Sequence, residues 1–282
     1  MLDSANTSIE QIETGSFVEH TSAAELQREL RIVSWNVARG CCFDAIADFL
    51  QSINADLILL QEVDKNSRRT GYRNIAKELA EKLRMNYAFG AEFNELAHGS
   101  FTSPALHGQA TLSRWKLSHA RVLRFREQSS FWCPYWWIPK SAIFQRRLGG
   151  RMALVTNVSV GRKNLVVYNL HLESRNGNDL RLRQLRELLD DTFQYELEWP
   201  VVAGGDFNFD VSHKHSGAYI AGAGFENTFG IEHLPTTVPN WIGRQRSIDC
   251  VLSRGAWDAS IPEVHTWVKA SDHYPLTLTL RG

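Results

Sequence analysis

The sequence has few cysteines, no excess of charge of either sign and no long apolar run, and each lack argues against a class of protein. Its four cysteines (Cys41, Cys42, Cys133, Cys250) are irregularly spaced and form no CxxC pair. That is too little for a disulfide framework or a zinc site, and it fits free thiols in a reducing compartment. Lys and Arg total 31 against 31 Asp and Glu. No global field therefore draws the chain to nucleic acid, and attraction for phosphate has to be local. No apolar stretch nears the roughly 20 residues of a membrane-spanning helix. The opening MLDSANTSIEQIETGSFVEH is polar and acidic, without the basic start and apolar stretch of a secretory leader. The expected location is the cytoplasm, with no membrane span, and nothing signals an obligate protein partner.

What is present reads as an ordinary globular chain: 282 residues, 43% apolar and 22% charged, long enough to bury a core unaided. Residues 1–30 are expected to be a mobile or loosely packed extension, because apolar periodicity is missing there. Residues 31–282 are expected to form one domain. Arg31–Asn36 and Leu57–Leu60 read as buried strands. Phe43, Ile46, Leu50 and Ile53 fall at helical spacing, as do Ile75, Leu79 and Leu83 in a helix expected over 74–85. Ala110–Leu112, Val122–Phe125, Met152–Val155 and Leu165–Tyr168 are strand candidates. A long helix is expected over 179–196, with Leu182, Leu185, Leu189 and Phe193 on one face. Val201–Ala203, Ile248–Leu252 and Leu276–Leu280 supply late strands. The mixture predicts an α/β fold: two sheets packed face to face with helices outside.

Six short stretches place a polar residue beside an apolar strand. They are Ser34-Trp-Asn36, Leu60-Gln-Glu62, Tyr168-Asn-Leu-His171, Gly204-Gly-Asp206-Phe-Asn208, Ser247-Ile-Asp249 and Ser271-Asp272-His273. Singly, each has a plain explanation. Glu62 could be the first solvated residue after a strand, Asn36 a turn residue, Gly204-Gly205 a tight turn and His171 a satisfied core histidine. Asp249, between Ile248 and Cys250, is harder to dismiss, because a buried carboxylate needs a partner. Strand ends on one edge of a sheet converge in space. Carboxylates and amides gathered there make an oxygen-rich cup of the kind Mg²⁺ or Mn²⁺ prefers.

Read together, SWN (34–36), LLQEVD (59–64), LSR (112–114), NLHLES (169–174), GGDFN (204–208), SIDCVL (247–252) and SDHYPL (271–276) resemble the endonuclease/exonuclease/phosphatase superfamily. Deoxyribonuclease I, exonuclease III-type enzymes, neutral sphingomyelinases and inositol polyphosphate 5-phosphatases are members. The resemblance spans Arg31 to Arg281 and implies a four-layer α/β/β/α sandwich. It also implies a phosphoesterase dependent on Mg²⁺ or Mn²⁺ that hydrolyses by in-line attack of water. On that resemblance Glu62 is the principal metal ligand, aided by Asn36 and Asp272. Asp206 orients or deprotonates the water, and Asn208 holds the water or a phosphate oxygen. His273 contacts phosphate or transfers a proton, with Asp249 fixing its tautomer. His171 donates to a non-bridging oxygen or protonates the leaving group. Gly108-Gln109-Ala110 departs from the Gly-Asn-Ala common in the family, which leaves phosphate contact at Gln109 in doubt.

Substrate choice is thinly written. Arg114, Arg244 and Arg246 are candidate phosphate contacts, with Trp136 and Trp137 of the aromatic, Pro-bearing stretch 130–139 as candidate stacking residues. This favours a nuclease or related phosphodiesterase acting on nucleic acid or another phosphodiester. The alternative is a phosphatase or sphingomyelinase/phospholipase C-like enzyme acting on a lipid or inositol phosphate headgroup, with the same aromatic stretch touching lipid.

Overall fold

The computed structural model describes residues 9–18, 29–100, 102–129, 137–160, 163–175, 177–228, 234–255, 258–260 and 262–281. In chain order the first strands are β1 (Glu13–Ser16), β2 (Glu29–Arg39), β3 (Leu57–Lys65), β4 (Asn86–Glu95), β5 (Leu106–Ser113), β6 (Leu117–Arg124) and β7 (Arg147–Gly149). Then come β8 (Met152–Val160), β9 (Lys163–His171), β10 (Val201–Asp206), β11 (Glu226–Asn227), β12 (Asp249–Arg254), β13 (Asp258–Ala259), β14 (Glu263–Val264) and β15 (Leu276–Arg281). The helices are α1 (Phe43–Ile53), α2 (Ile75–Leu83), α3 (Asn178–Asp191) and α4 (Lys214–Gly222).

One sheet runs β1-β4-β5-β3-β2-β15-β13, with β7 on β4 and β14 on β15; the other runs β11-β12-β10-β9-β8-β6. Leu30, Ile32, Leu57, Leu59 and Leu278 of the first meet Val158, Leu165, Val167, Val202 and Val251 of the second in a shared apolar layer. The outer face of the first sheet is covered by α1 and α2 through Phe43, Ile46, Leu50, Ile75 and Leu79. The outer face of the second is covered through Leu185, Leu188, Leu189 and Ile220. The expected four-layer α/β/β/α sandwich is what the chain forms. A polar bolt crosses the apolar seam: Asn169 donates to the Leu60 and Ala110 carbonyls at 3.1 and 2.9 Å and accepts from Gln61 at 2.8 Å.

Local rules explain most boundaries. α1 ends at Asn54 in the left-handed region, its N–H on the Leu50 carbonyl, and α2 is N-capped by Asn74 and ends at left-handed Arg84. The helix expected to reach residue 196 stops at Asp191, and a 3₁₀ turn follows over Thr192–Gln194. There the Arg254 guanidinium donates to the Thr192 carbonyl at 3.1 Å, and Phe193 is exposed rather than packed. Part of the extension expected to be loose is ordered: β1 pairs antiparallel with β4, and Ile9 is buried in the core. Glu13 anchors it, accepting from Tyr87 Oη at 2.6 Å and Asn74 at 2.8 Å and pairing with Lys65. Strands β4 and β7 and helix α4 have no counterpart among the elements read from sequence.

Gly204-Gly205 is not a turn but lies inside β10. Gly205 has φ +150°, and a Cβ there would sit 1.9 Å from the Leu170 carbonyl oxygen of the neighbouring strand. Among the described residues no helix is long and apolar enough to cross a membrane.

Candidate active site

Register does most of the assembly. β9 and β10 run parallel with His171 beside Asp206, and β12 runs antiparallel to β10 with Asp249 on the other side of Asp206. Three titratable side chains therefore stand at one level of the second sheet. Facing them, β2 and β3 are parallel with Asn36 beside Gln61, and β15 pairs with β2 so that His273 precedes the Leu276–Ser34 pair. The Trp35 indole donates to the His273 carbonyl at 2.9 Å, and Ser271 Oγ to the Asn36 carbonyl at 2.7 Å, which ties these ends together.

The two sheets meet at one oxygen. Asp206 Oδ2 accepts from the Asn36 amide at 3.2 Å and lies 3.5 Å from His171 Nε2 and 3.7 Å from His273 Nε2. Its Oδ1 accepts from the Asn208 backbone N–H at 2.8 Å. Asn208, at φ +58°, turns its amide onto the Leu172 carbonyl at 3.1 Å. His273 Nδ1 rests on both Asp249 oxygens at 2.8 and 3.0 Å, and Thr236 Oγ1 donates to Asp249 Oδ2 at 2.6 Å. On the other flank His171 Nδ1 receives Arg151 Nη1 at 2.9 Å, and Arg151 also pairs with Glu92 at 2.9 Å.

These contacts set the charges. Burial opposes charge on His273, but Asp249 and Asp206 outweigh it and raise the imidazole to about 10. Burial and the Asp249 carboxylate push Asp206 up to about 7, against the opposing pull of His273. Burial and the charge of Arg151 drive His171 well below its ordinary value. Two histidines at similar distances from one carboxylate thus hold opposite states.

Glu62 reaches the site through a bulge. Leu60 pairs with Ala110 and Val63 with Gly108, so Gln61 and Glu62 together oppose Gln109 alone, and Glu62 adopts φ +53°. Among the described residues its half-buried carboxylate has no hydrogen-bond or ion-pair partner. Burial would raise its pKa, yet His107, Arg39, Arg151 and His273 hold it below the usual value. An ionised, unpartnered carboxylate beside the Asn36 strand fits a hard divalent cation, which prefers a few oxygen donors. Asp272, exposed and next to Ser271 on Asn36, is near by backbone placement. Asp206, Asp249 and His273 also bring three potential ligand atoms within 4.8 Å of one another. Of these, the Asp249 carboxylate is already taken by His273 Nδ1 and Thr236 Oγ1. Beneath Glu62, Asp64 is held at about 2: His107 at 2.8 Å and Arg69 at 2.6 Å outweigh its burial.

The other expected residues are scattered. Arg114 is not at this end: it follows Ser113, the partner of Leu57 at the start of β3, and donates to the Asn54 and Ala55 carbonyls. At the usual strand rise that is about 17 Å of strand away from Glu62, and its role there is to hold a turn. Arg246 is exposed on the rim and donates to the Asn208 carbonyl at 2.8 Å. Arg244 is exposed in a tight turn whose caps are Asn240 contacts. Trp137 is exposed, and Trp136 lies outside the described residues. Gln109 donates to the Met152 carbonyl at 3.2 Å from full burial, so it is a strut between sheets.

Reasoning from sequence missed Glu92 and Thr236, and marked Arg151 only as part of a local basic cluster with Arg146 and Arg147; Glu92 left a signal as a carboxylate inside the apolar run Tyr87–Phe93.

A family model described as "Endonuclease/Exonuclease/phosphatase family" matches residues 33–273. The chain belongs to this family. No curated protein matches the sequence. Among solved structures, an endonuclease/exonuclease/phosphatase from Beutenbergia cavernae is similar at 20% identity and TM-score 0.65, over 90% of this chain and 72% of that one. The human Nocturnin catalytic domain, solved with a bound sulfate anion, is similar at 16% identity and TM-score 0.63, over 91% and 96%. Caenorhabditis elegans TDP2 is similar at 16% identity and TM-score 0.60, over 90% and 74%. At these identities the likeness speaks for the fold.

Proposed function

We propose that this chain is a divalent-metal-dependent phosphodiesterase acting on nucleic acid, with Asp206 as the group that activates water. The observation that carries the reading is the convergence of Asn36, His171 and His273 on one oxygen of Asp206. A carboxylate raised to about 7 is matched to taking a proton from water near neutral pH. His273, kept charged by Asp249, offers Nε2–H to an anionic oxygen, while Asn208 and Asn36 hold the Asp206 carboxylate in place. Glu62, Asn36 and Asp272 would hold Mg²⁺ or Mn²⁺, which when bound supplies electrostatic stabilisation of the phosphoryl group.

The nucleic-acid substrate is supported by Arg244 and Arg246 beside Trp241, which is 94% exposed. Arginines pair with phosphates, and an exposed indole offers a stacking face. A second reading, a lipid or inositol phosphate headgroup, is favoured by the exposed Trp137, Ile143 and Phe144.

The test is Mg²⁺- and Mn²⁺-dependent cleavage of labelled single- and double-stranded DNA and RNA, with Glu62→Ala alongside. Cleavage by wild type alone supports the nuclease reading. Inertness on all four, with release of headgroup from phospholipid vesicles, would replace it with the second.

A further inference from the structure

His171 carries two nitrogens, and their surroundings differ in kind. Arg151 Nη1 stands 2.9 Å from Nδ1 and 2.9 Å from Glu92 Oε1, and Nη2 donates to Ser174 Oγ at 2.8 Å. A guanidinium is always charged and has only donors. Nδ1 must therefore accept, which puts the single ring proton of a neutral imidazole on Nε2. That nitrogen is the one on the Asp206 side, 3.5 Å from Oδ2.

The carboxylate that could have charged this ring is held off. Glu92 Oε2 is 3.7 Å from Nδ1, beyond hydrogen-bond reach. On the opposite flank Asp249 touches His273 Nδ1 directly at 2.8 Å. The two flanks are built alike, carboxylate behind imidazole, except that Arg151 is inserted in one of them.

We infer that Arg151 and Glu92 are positioning residues that lock His171 as a neutral Nε2–H donor to a phosphoryl oxygen. This rests on the phosphoesterase reading. A neutral Nε2–H ring can stabilise charge by hydrogen bonding. It cannot serve as an ordinary imidazolium acid, because Arg151 occupies the lone pair that protonation would need. The charged and titratable groups around the ring are Arg151, Arg147, His107 and His273 on the positive side, with Glu92 and Asp206 on the negative. Burial and the positive set act in the same direction as the hydrogen bond.

The decisive measurement is ¹⁵N NMR of the histidine rings in the metal-free protein, with His171 assigned by its loss in His171→Gln. The expected result is a protonated Nε2 and a bare Nδ1 for His171, unchanged from about pH 5 to about pH 9, across which a free imidazole titrates. An imidazolium signal in that range, or a proton on Nδ1, overturns the inference. Arg151→Met would strand a buried Glu92, so the companion is the double variant Arg151→Met with Glu92→Gln. Its His171 ring should titrate and sample both tautomers, with kcat reduced about 10-fold or more and KM changed less. A ring still locked in the double variant overturns the role of Arg151. Failure of the wild type to cleave any phosphodiester would instead count against the activity, and would leave the ring result standing.

Discussion

Asp249 is hydrogen-bonded to His273, whose Nε2 faces Asp206 at 3.7 Å, and pH dependence follows from the charges of the three. Activity should rise as Asp206 ionises, at about 7, and fall as His273 loses its proton, at about 10. Asp249 raises both groups, so Asp249→Asn should move both limbs of the kcat/KM profile to lower pH; limbs that stay put would refute the assignment. Stability has its own sign. Between the ordinary value of 3.8 and about 7, folded Asp206 holds a proton that the unfolded chain has released, so stability falls as pH rises through that window. His273 contributes fully below its unfolded value of 6.5, and its contribution is lost as pH rises through about 10. Both trends should be visible in urea titrations with a chelator present. Glu62 is a separate matter, because its carboxylate has no partner among the described residues. Glu62→Ala should weaken Mg²⁺ binding about 10-fold or more, whereas His171→Ala should leave it unchanged. Equal calorimetric affinity in wild type and Glu62→Ala would sink the ligand role.

At the scale of elements, β10 depends on a close approach that only glycine permits. Adding a methyl at Gly205, 1.9 Å from the Leu170 carbonyl oxygen, must part β9 from β10 or shift the His171–Asp206 register. Gly205→Ala should cost on the order of 3 kcal/mol in denaturant titration and lower kcat as well; a neutral effect would mean the strand is more pliant than drawn. The segment 234–246 is the second element with a stake in the site. Thr237 bridges His273, Thr236 holds Asp249 and Arg246 holds Asn208, while Trp241 stands out at the tip. If the substrate is single-stranded nucleic acid, Trp241→Ala should weaken its binding by about 1–3 kcal/mol per stacked base. kcat should stay nearly unchanged, because the holding contacts are made by other residues.

Across the whole molecule the site exists only because two sheets are clamped together. Asn36 comes from one sheet and His273 from the segment leading into its β15, and His171, Asp206 and Asp249 come from the other sheet. Asn169 spans the seam with three hydrogen bonds. Asn169→Ala should therefore cost about 2–4 kcal/mol, since it strands buried partners. Far-UV circular dichroism and tryptophan fluorescence should report one shared unfolding transition in wild type and variant; two separated transitions would mean that the sheets fold as independent units. Balanced charge, 31 against 31, leaves local arginines to meet phosphate. Substrate binding should then show a shallow salt dependence, and Arg244→Ala should flatten it further.

How much of this was legible in the sequence follows from the range over which each interaction acts. The strands Arg31–Asn36, Leu57–Leu60 and Leu276–Leu280, the helix after Phe43 and the membership of the family could all be read. Apolar periodicity and short motifs are local properties of a chain. The order of β1, the early stop of α3 and the seating of Arg114 on the Asn54 turn were not readable, because Tyr87, Arg254 and the start of β3 lie far off in sequence. The same holds for the chemistry of the histidines. Sequence alone named His171 and His273 as a pair of candidates, but nothing near either one says which is charged. Only the tertiary structure brought Asp249 to one ring and Arg151 to the other, and a proton sits where the nearest partners put it.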